Sequence, residues 1–239
     1  MKLVWCPETA SKVYIDTVKA LSEGSDVAEL VSAMAGGWRA RLILEAWSRG
    51  DKVDTSLGLS IAARHTCGRH VCVVPDEESR SEYLSAMSVA GVAEVEVVVV
   101  VAGVEEEGVM EGVPEGVDFV VVDCTRREFK RVVRSARVGH RGAVLVCKNA
   151  AGLREVGGSG GGGGVGCQWL WWRGLLGEEA RVVRSVFLPI GKGIEIVHVA
   201  GSGPSGGGGC GGSEAGLGRS RWIRHIDGIT GEEHVFRRR

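Results

Sequence analysis

Residues 117–149 constrain the fold most. An apolar run, Val-Asp-Phe-Val-Val-Val, ends in Asp123-Cys124. A segment with helical spacing follows (Phe129, Val132, Val133, Ala136), and a second apolar run, Ala-Val-Leu-Val-Cys, ends in Lys148-Asn149. Continuous apolar runs joined by an amphipathic helix are the pattern of a buried parallel sheet. Ligands of open α/β sheets bind at the carboxyl tips of the strands, so Asp123, Lys148 and Asn149 are expected to line a pocket.

The same alternation runs through the first 150 residues. Strands are expected at 41–47, 70–74, 95–101, 118–122 and 143–147. Helices are expected at 7–21, 26–35, 55–64, 77–90 and 126–138, with Pro7 suited to a first turn. Two further strands, 182–188 and 194–199, flank Pro189-Ile-Gly-Lys-Gly193, the composition of a tight hairpin. The expectation is an α/β fold with a seven-stranded, mostly parallel sheet closed by an antiparallel hairpin. Residues 1–200 form this domain, with a flexible glycine loop at 157–166. A glycine-rich linker spans 201–218, and a basic hairpin tail 219–239.

The 239 residues carry a formal net charge of −1, which gives no general attraction to nucleic acid or to an anionic membrane. The tail holds six Arg against three acids. Arginines guarding an edge hairpin against aggregation account for this more simply than nucleic-acid binding does. No apolar run approaches the ~20 residues of a membrane helix, and the short start before Pro7 does not read as a signal peptide. Seven scattered cysteines, several inside strand-like runs, point to a reducing compartment, cytoplasm or nucleus. His65, Cys67, His70 and Cys72 have metal-binding residue types without zinc-site spacing. Trp169, Trp171 and Trp172 either cover a core edge or partner surface, or stack on a planar ligand.

Particular stretches resemble a known family. Ala28–Met34 with Arg41–Glu45, Asp118–Asp123, Gly142–Asn149 and Ser185–Ile196 are similar to the corresponding pieces of class I S-adenosylmethionine-dependent methyltransferases. The likeness is to small O-methyltransferases of the catechol and caffeoyl-coenzyme A type. More narrowly, Lys2–Lys12, Ser32–Trp38, Gly68–Pro75 and the tail pieces Arg221–Asp227 and Thr230–Arg237 resemble a plant family of unknown function labelled only as methyltransferase-like. The resemblance implies a Rossmann-like fold and S-adenosylmethionine as cofactor. It implies Glu45, Trp47, Ser48, Asp76 and Asp123 as cofactor-binding positions.

The departures from that pattern matter. Trp47 stands where the loop after the first strand has its first glycine, filling the space of the methionine moiety unless it swings aside. Asp54 or Thr55 is available to cap the next helix. Asp76 falls two residues after the place of the ribose-binding acid, and serves either there or as a helix cap. Lys148 replaces the second metal-binding Asp, and its ammonium repels a divalent cation. Arg126 stands where those enzymes have a basic Lys and stays protonated. The expectation is a metal-independent methyltransferase of unknown substrate in which Asp123 and Lys148 are catalytic, Lys148 as a base, or else form a structural ion pair at the strand tips. The alternative is an inactive pseudoenzyme of the same fold that binds a small molecule or protein partner.

Overall fold

A computed structural model describes residues 4–21, 23–99, 116–126, 129–152, 172, 175–176 and 181–201, together with the backbone of 222–226 and 233–237. The chain separates into two compact units, Met1–Pro204 and Ser205–Arg239. The expectations for the glycine tracts at 157–166 and 201–218 fall, Gly201 apart, outside the described residues, as do Trp169 and Trp171.

In the first unit the elements run α1 (Pro7–Ala20), α2 (Asp26–Gly37), β1 (Leu42–Ala46), α3 (Asp54–Thr66), β2 (Arg69–Val74), α4 (Glu77–Val89), β3 (Glu96–Val99), β4 (Phe119–Asp123), α5 (Phe129–Ser135), β5 (Ala143–Lys148), β6 (Arg181–Leu188) and β7 (Ile194–Ala200). Among the described residues, seven strands form one sheet in the order β3-β2-β1-β4-β5-β7-β6. Strands β1 to β5 pair in parallel, and β7 enters antiparallel between β5 and β6. The order reverses between β1 and β4, so the loops after those strands diverge and leave a crevice at their carboxyl ends.

Side-chain alternation assigns the two faces. Ile43, Phe119, Val121, Val144 and Val146 pack with α1, α2 and α3, while Trp47, Cys72, Val74, Tyr83 and Met87 join the sheet to α4. Leu42, Leu44, Val120, Val122, Leu145 and Cys147 pack on the opposite face with α5, Trp172 and Leu175. Trp172 is therefore core, and its indole N–H donates to the buried Glu195 carboxylate at 3.2 Å. Gly58 lets α3 lie close to α2, since a Cβ there would meet Ser32 Cβ at 2.9 Å. The β6–β7 turn uses the left-handed backbone of Gly191 (φ 58°) and Gly193 (φ 87°).

Helix α5 is shorter than its apolar spacing predicts. Val138 forms a parallel bridge with Val117, and the Val117 N–H donates to Arg137 O at 2.7 Å. That pairing draws residues 137–138 out of helical geometry. Helix α3 also starts differently from expectation. Asp54 is its first residue, and the cap position is Val53, which makes no side-chain cap bond. The second unit's described backbone is an antiparallel hairpin, β8 (Trp222–Ile226) with β9 (Glu233–Arg237). Among the described residues no helix is long and apolar enough to cross a membrane.

Candidate functional site

A cleft opens at the carboxyl ends of β1, β2 and β4. Its inner part is a narrow cavity of about 20 Å³ between Ala46, Trp47, Val73, Val74, Asp123 and Phe129. Its outer part, about 310 Å³, lies among Arg49, Asp76, Ser79 and Thr125. Ser48, Pro75 and Arg126 line both parts. The inner wall is mostly apolar and the outer wall polar, and only the outer part reaches the ~300–1,000 Å³ usual for small-ligand sites.

Three loops set the cleft's shape. The loop after β1 turns at Ser48, whose carbonyl accepts from the Asp51 N–H at 3.0 Å. Arg49 ties this loop to α4 through Glu78 (2.7 Å) and Glu82 (3.1 Å), and Gly50 N–H also donates to Glu82. The loop after β4 is tied to the same loop by an ion pair between Arg126 and Asp51. The loop after β2 ends in Asp76, which caps α4 by accepting the Ser79 N–H at 2.6 Å. That backbone hydrogen bond holds the Asp76 carboxyl below the usual carboxylate range. Of the two roles open to Asp76 in the sequence, capping is the contact observed, although the residue also lines the cleft.

Trp47 is 3 % exposed. Its indole swings aside onto Tyr83, ring centroids 5.3 Å apart, and its backbone N–H extends the β1–β2 ladder to Val73 O at 3.0 Å. It therefore walls the cleft rather than plugging it. Its Nε1–H is buried without an acceptor among the described residues. Burial also pushes the Tyr83 phenol strongly up, which keeps it protonated.

Glu45 is 1 % exposed and turns away from the cleft lining. Its Oε2 lies 3.1 Å from His70 Nε2, while His70 Nδ1 lies 3.0 Å from Ser60 Oγ. His65 is committed elsewhere, to Asp16 at 2.8 Å, so the His65–Cys72 group is not gathered. Nothing in the sequence flags this buried Glu45–His70 pair, because it needs the β1–β2 register to be known.

Asp123 and Lys148 are register partners on adjacent strands, yet they do not form the expected ion pair. Asp123 Oδ1 accepts from the Thr125 N–H (2.8 Å) and hydroxyl (2.6 Å), and Oδ2 accepts from Asn149 Nδ2 at 2.5 Å. Lys148 Nζ instead reaches Thr55 Oγ1 in the first turn of α3, at 3.4 Å. The reason is local supply. Asn149, in left-handed conformation (φ 57°), and Thr125 bring donors to Asp123 from both sides. Three donors thereby fill most of the carboxylate's acceptor sites without the ammonium. Among the described residues no group of three or more His, Cys, Asp or Glu side chains is gathered for a metal.

A family profile, a protein of unknown function designated DUF1442, matches residues 1–238. The chain belongs to this family. No functionally curated protein matches it significantly. Solved structures do resemble this DUF1442 chain. The O-methyltransferase TomG of Streptomyces achromogenes, involved in tomaymycin synthesis and solved with S-adenosylmethionine, is 21 % identical with a TM-score of 0.53. The alignment covers 83 % of this chain and 92 % of TomG. Cofactor-bound Rv0187 from MTB is 18 % identical with a TM-score of 0.52, covering 82 % and 91 %. The SAH-bound methyltransferase PaMTH1 of Podospora anserina is 15 % identical with a TM-score of 0.50, covering 81 % and 88 %. The DUF1442 chain thus has the α/β class I methyltransferase fold.

Proposed function

We propose that this protein is an S-adenosylmethionine-dependent methyltransferase that works without a metal. The observation that carries the reading is the divided cleft at the point where strand order reverses, apolar within and polar outside. That division suits a nucleoside seated in the outer part, its base against the apolar mouth of the narrow inner part and its hydroxyls toward polar partners. When bound, the cofactor supplies a methyl group activated by a sulfonium.

Val74, Pro75 and Phe129 hold the base in this reading, and Ser48 and Asp76 face the ribose and the amino-acid end. Asp76 keeps an acceptor oxygen beyond the one capping α4, since a carboxylate offers about four lone-pair sites. Asp123 orients the loop after β4 through Thr125. Glu45 supports the β1 tip from behind through His70.

Lys148 takes the catalytic role. It is half-buried, and among the described residues no carboxylate pairs with it. Its ammonium neutralises an oxygen nucleophile as that oxygen loses its proton, which favours the ionised form. A divalent cation is disfavoured by the donor set itself, because the ammonium occupies the register position beside Asp123 and the Asp123 oxygens already accept three hydrogen bonds.

Calorimetric titration of the full chain with S-adenosylhomocysteine tests the reading. One saturable site is expected, abolished by Pro75→Trp, which fills the wall shared by both parts of the cleft. Binding that survives in the P75W protein would place the ligand elsewhere.

A further inference from the structure

A second cleft, about 590 Å³, lies at the opposite end of the sheet, beside the amino ends of β2 and β3. Its walls come from α3, the turn into β2 and the segment between α4 and β3. That volume falls in the ~300–1,000 Å³ usual for small-ligand sites. Leu57, Ile61, Val92 and Val95 supply apolar wall, while the exposed Arg64 and Glu94 give the rim opposite charges. Ser60 and His70 line the same cleft. Ser60 Oγ lies 3.0 Å from His70 Nδ1, and His70 Nε2 lies 3.1 Å from Glu45 Oε2. A carboxylate only accepts, so Glu45 sets the imidazole proton on Nε2 and leaves Nδ1 to accept the Ser60 hydroxyl. A helical serine often returns its hydroxyl to the carbonyl one turn back, as Ser135 does to Arg131 O at 2.9 Å. Ser60, inside α3, gives its hydroxyl to the histidine instead.

Hydroxyl, imidazole and carboxylate in series are the arrangement that activates a serine nucleophile, whatever fold carries it. We propose that this cleft is a second active site, in which Ser60 and His70 hydrolyse small neutral carboxylic esters. Ser60 Oγ bonds to the ester carbonyl carbon as its proton passes to His70 Nδ1. The ester C–O bond then breaks, and the leaving alcohol takes that proton. Water attacks the acyl-Ser60 with His70 Nδ1 again as base, releasing a carboxylic acid and restoring the hydroxyl. Glu45 and His70 are buried while Ser60 is half-buried, so the relay is shielded and its hydroxyl end is reachable. Arg64 follows Ser60 by one turn on the same face of α3 and pairs with no carboxylate among the described residues. Its guanidinium is the donor for the oxyanion formed on attack. Apolar walls and a rim of balanced charge favour a neutral ester over a charged one.

Full-length protein is treated with an alkyl fluorophosphonate, which forms an O–P bond to an activated serine with loss of fluoride. Trypsin digestion and mass spectrometry then locate the adduct. It is expected on the peptide Val53–Arg64, with fragment ions placing it on Ser60 and not on Thr55 or Ser56. The same protein should hydrolyse p-nitrophenyl butyrate with saturation. In Ser60→Ala, kcat/KM should fall about 100-fold or more, the scale of base-assisted catalysis. Glu45 acts through His70 as a positioning residue, so Glu45→Gln should lower kcat and leave KM unchanged. Three results would overturn the proposal: Ser60 left unmodified, the adduct found instead on the exposed Cys67 of the same cleft, or ester hydrolysis that persists in Ser60→Ala. An unchanged kcat in Glu45→Gln would overturn the part given to Glu45. The labelling site in wild-type protein decides the matter even if a variant fails to fold.

Discussion

Asn149 and Asp123, at the tips of neighbouring parallel strands, are joined by an amide-to-carboxylate hydrogen bond of 2.5 Å. Asp123 is buried, so an oxygen left without this donor keeps its desolvation cost. Asn149→Ala should therefore destabilise the first unit by about 1–3 kcal/mol. Asn149→Asp should cost more at neutral pH, because it sets two carboxylates against each other. Urea unfolding curves of the three proteins check the order.

Trp47 owes its place to Tyr83 and not to the cleft. Trp47→Ala should leave a cavity under the β1 tip and cost roughly 3–5 kcal/mol. Trp47→Phe keeps the packing against Tyr83 and should cost much less. Thermal melts separate the two variants. An Ala variant as stable as wild type would mean the indole stands free in the cleft.

The buried Glu45–His70 contact should be among the most costly to break. His70→Ala leaves a carboxylate with 1 % exposure and no facing donor, a change worth about 3–5 kcal/mol in comparable buried pairs. Adding Glu45→Leu to His70→Ala should recover part of that loss. A double-mutant cycle measured by chemical denaturation should therefore show strong coupling between the positions.

His198 titrates against folding. Both its ring nitrogens are buried without hydrogen-bond partners among the described residues, it packs edge-on to Trp38, and burial, with nearby Arg184, lowers its pKa. A depressed folded-state pKa means the unfolded chain binds the proton more readily. Its contribution is thus present above the unfolded value near 6.5 and is lost as pH falls through the lower folded one. Thermal stability should decline on acidification below about pH 6.5, and His198→Phe should flatten that part of the slope. Melting curves across this pH range provide the check.

Much of the fold could be read from the chain because buried parallel strands are near-continuous runs of Val, Ile and Leu. Phe119–Asp123 and Ala143–Lys148 advertise themselves, and of the polar residues at their tips Asp123 lines the cleft while Lys148 and Asn149 do not. Capping was one of two roles legible for Asp76, and the contact seen is the cap because its oxygen and the Ser79 N–H are local partners. The limits appear where a side chain is placed by something distant in sequence. Trp47 could be seen to break a glycine pattern, but its direction depends on Tyr83 on α4. Asp123 and Lys148 were correctly set side by side by the strand pattern. Their partners were not, because Thr125 and Asn149 outcompete the ammonium and Thr55 comes from α3. The end of α5 was misjudged for a similar reason, a bridge from Val138 to Val117 that periodicity cannot reveal.

Amide hydrogen exchange of the full chain with and without S-adenosylhomocysteine tests the central claim, that the cleft over β1, β2 and β4 is a cofactor site. The account predicts slowed exchange in three separated stretches, 46–51, 74–79 and 123–126. Exchange unchanged at saturating ligand, or protection confined to segments away from those strand tips, would contradict it.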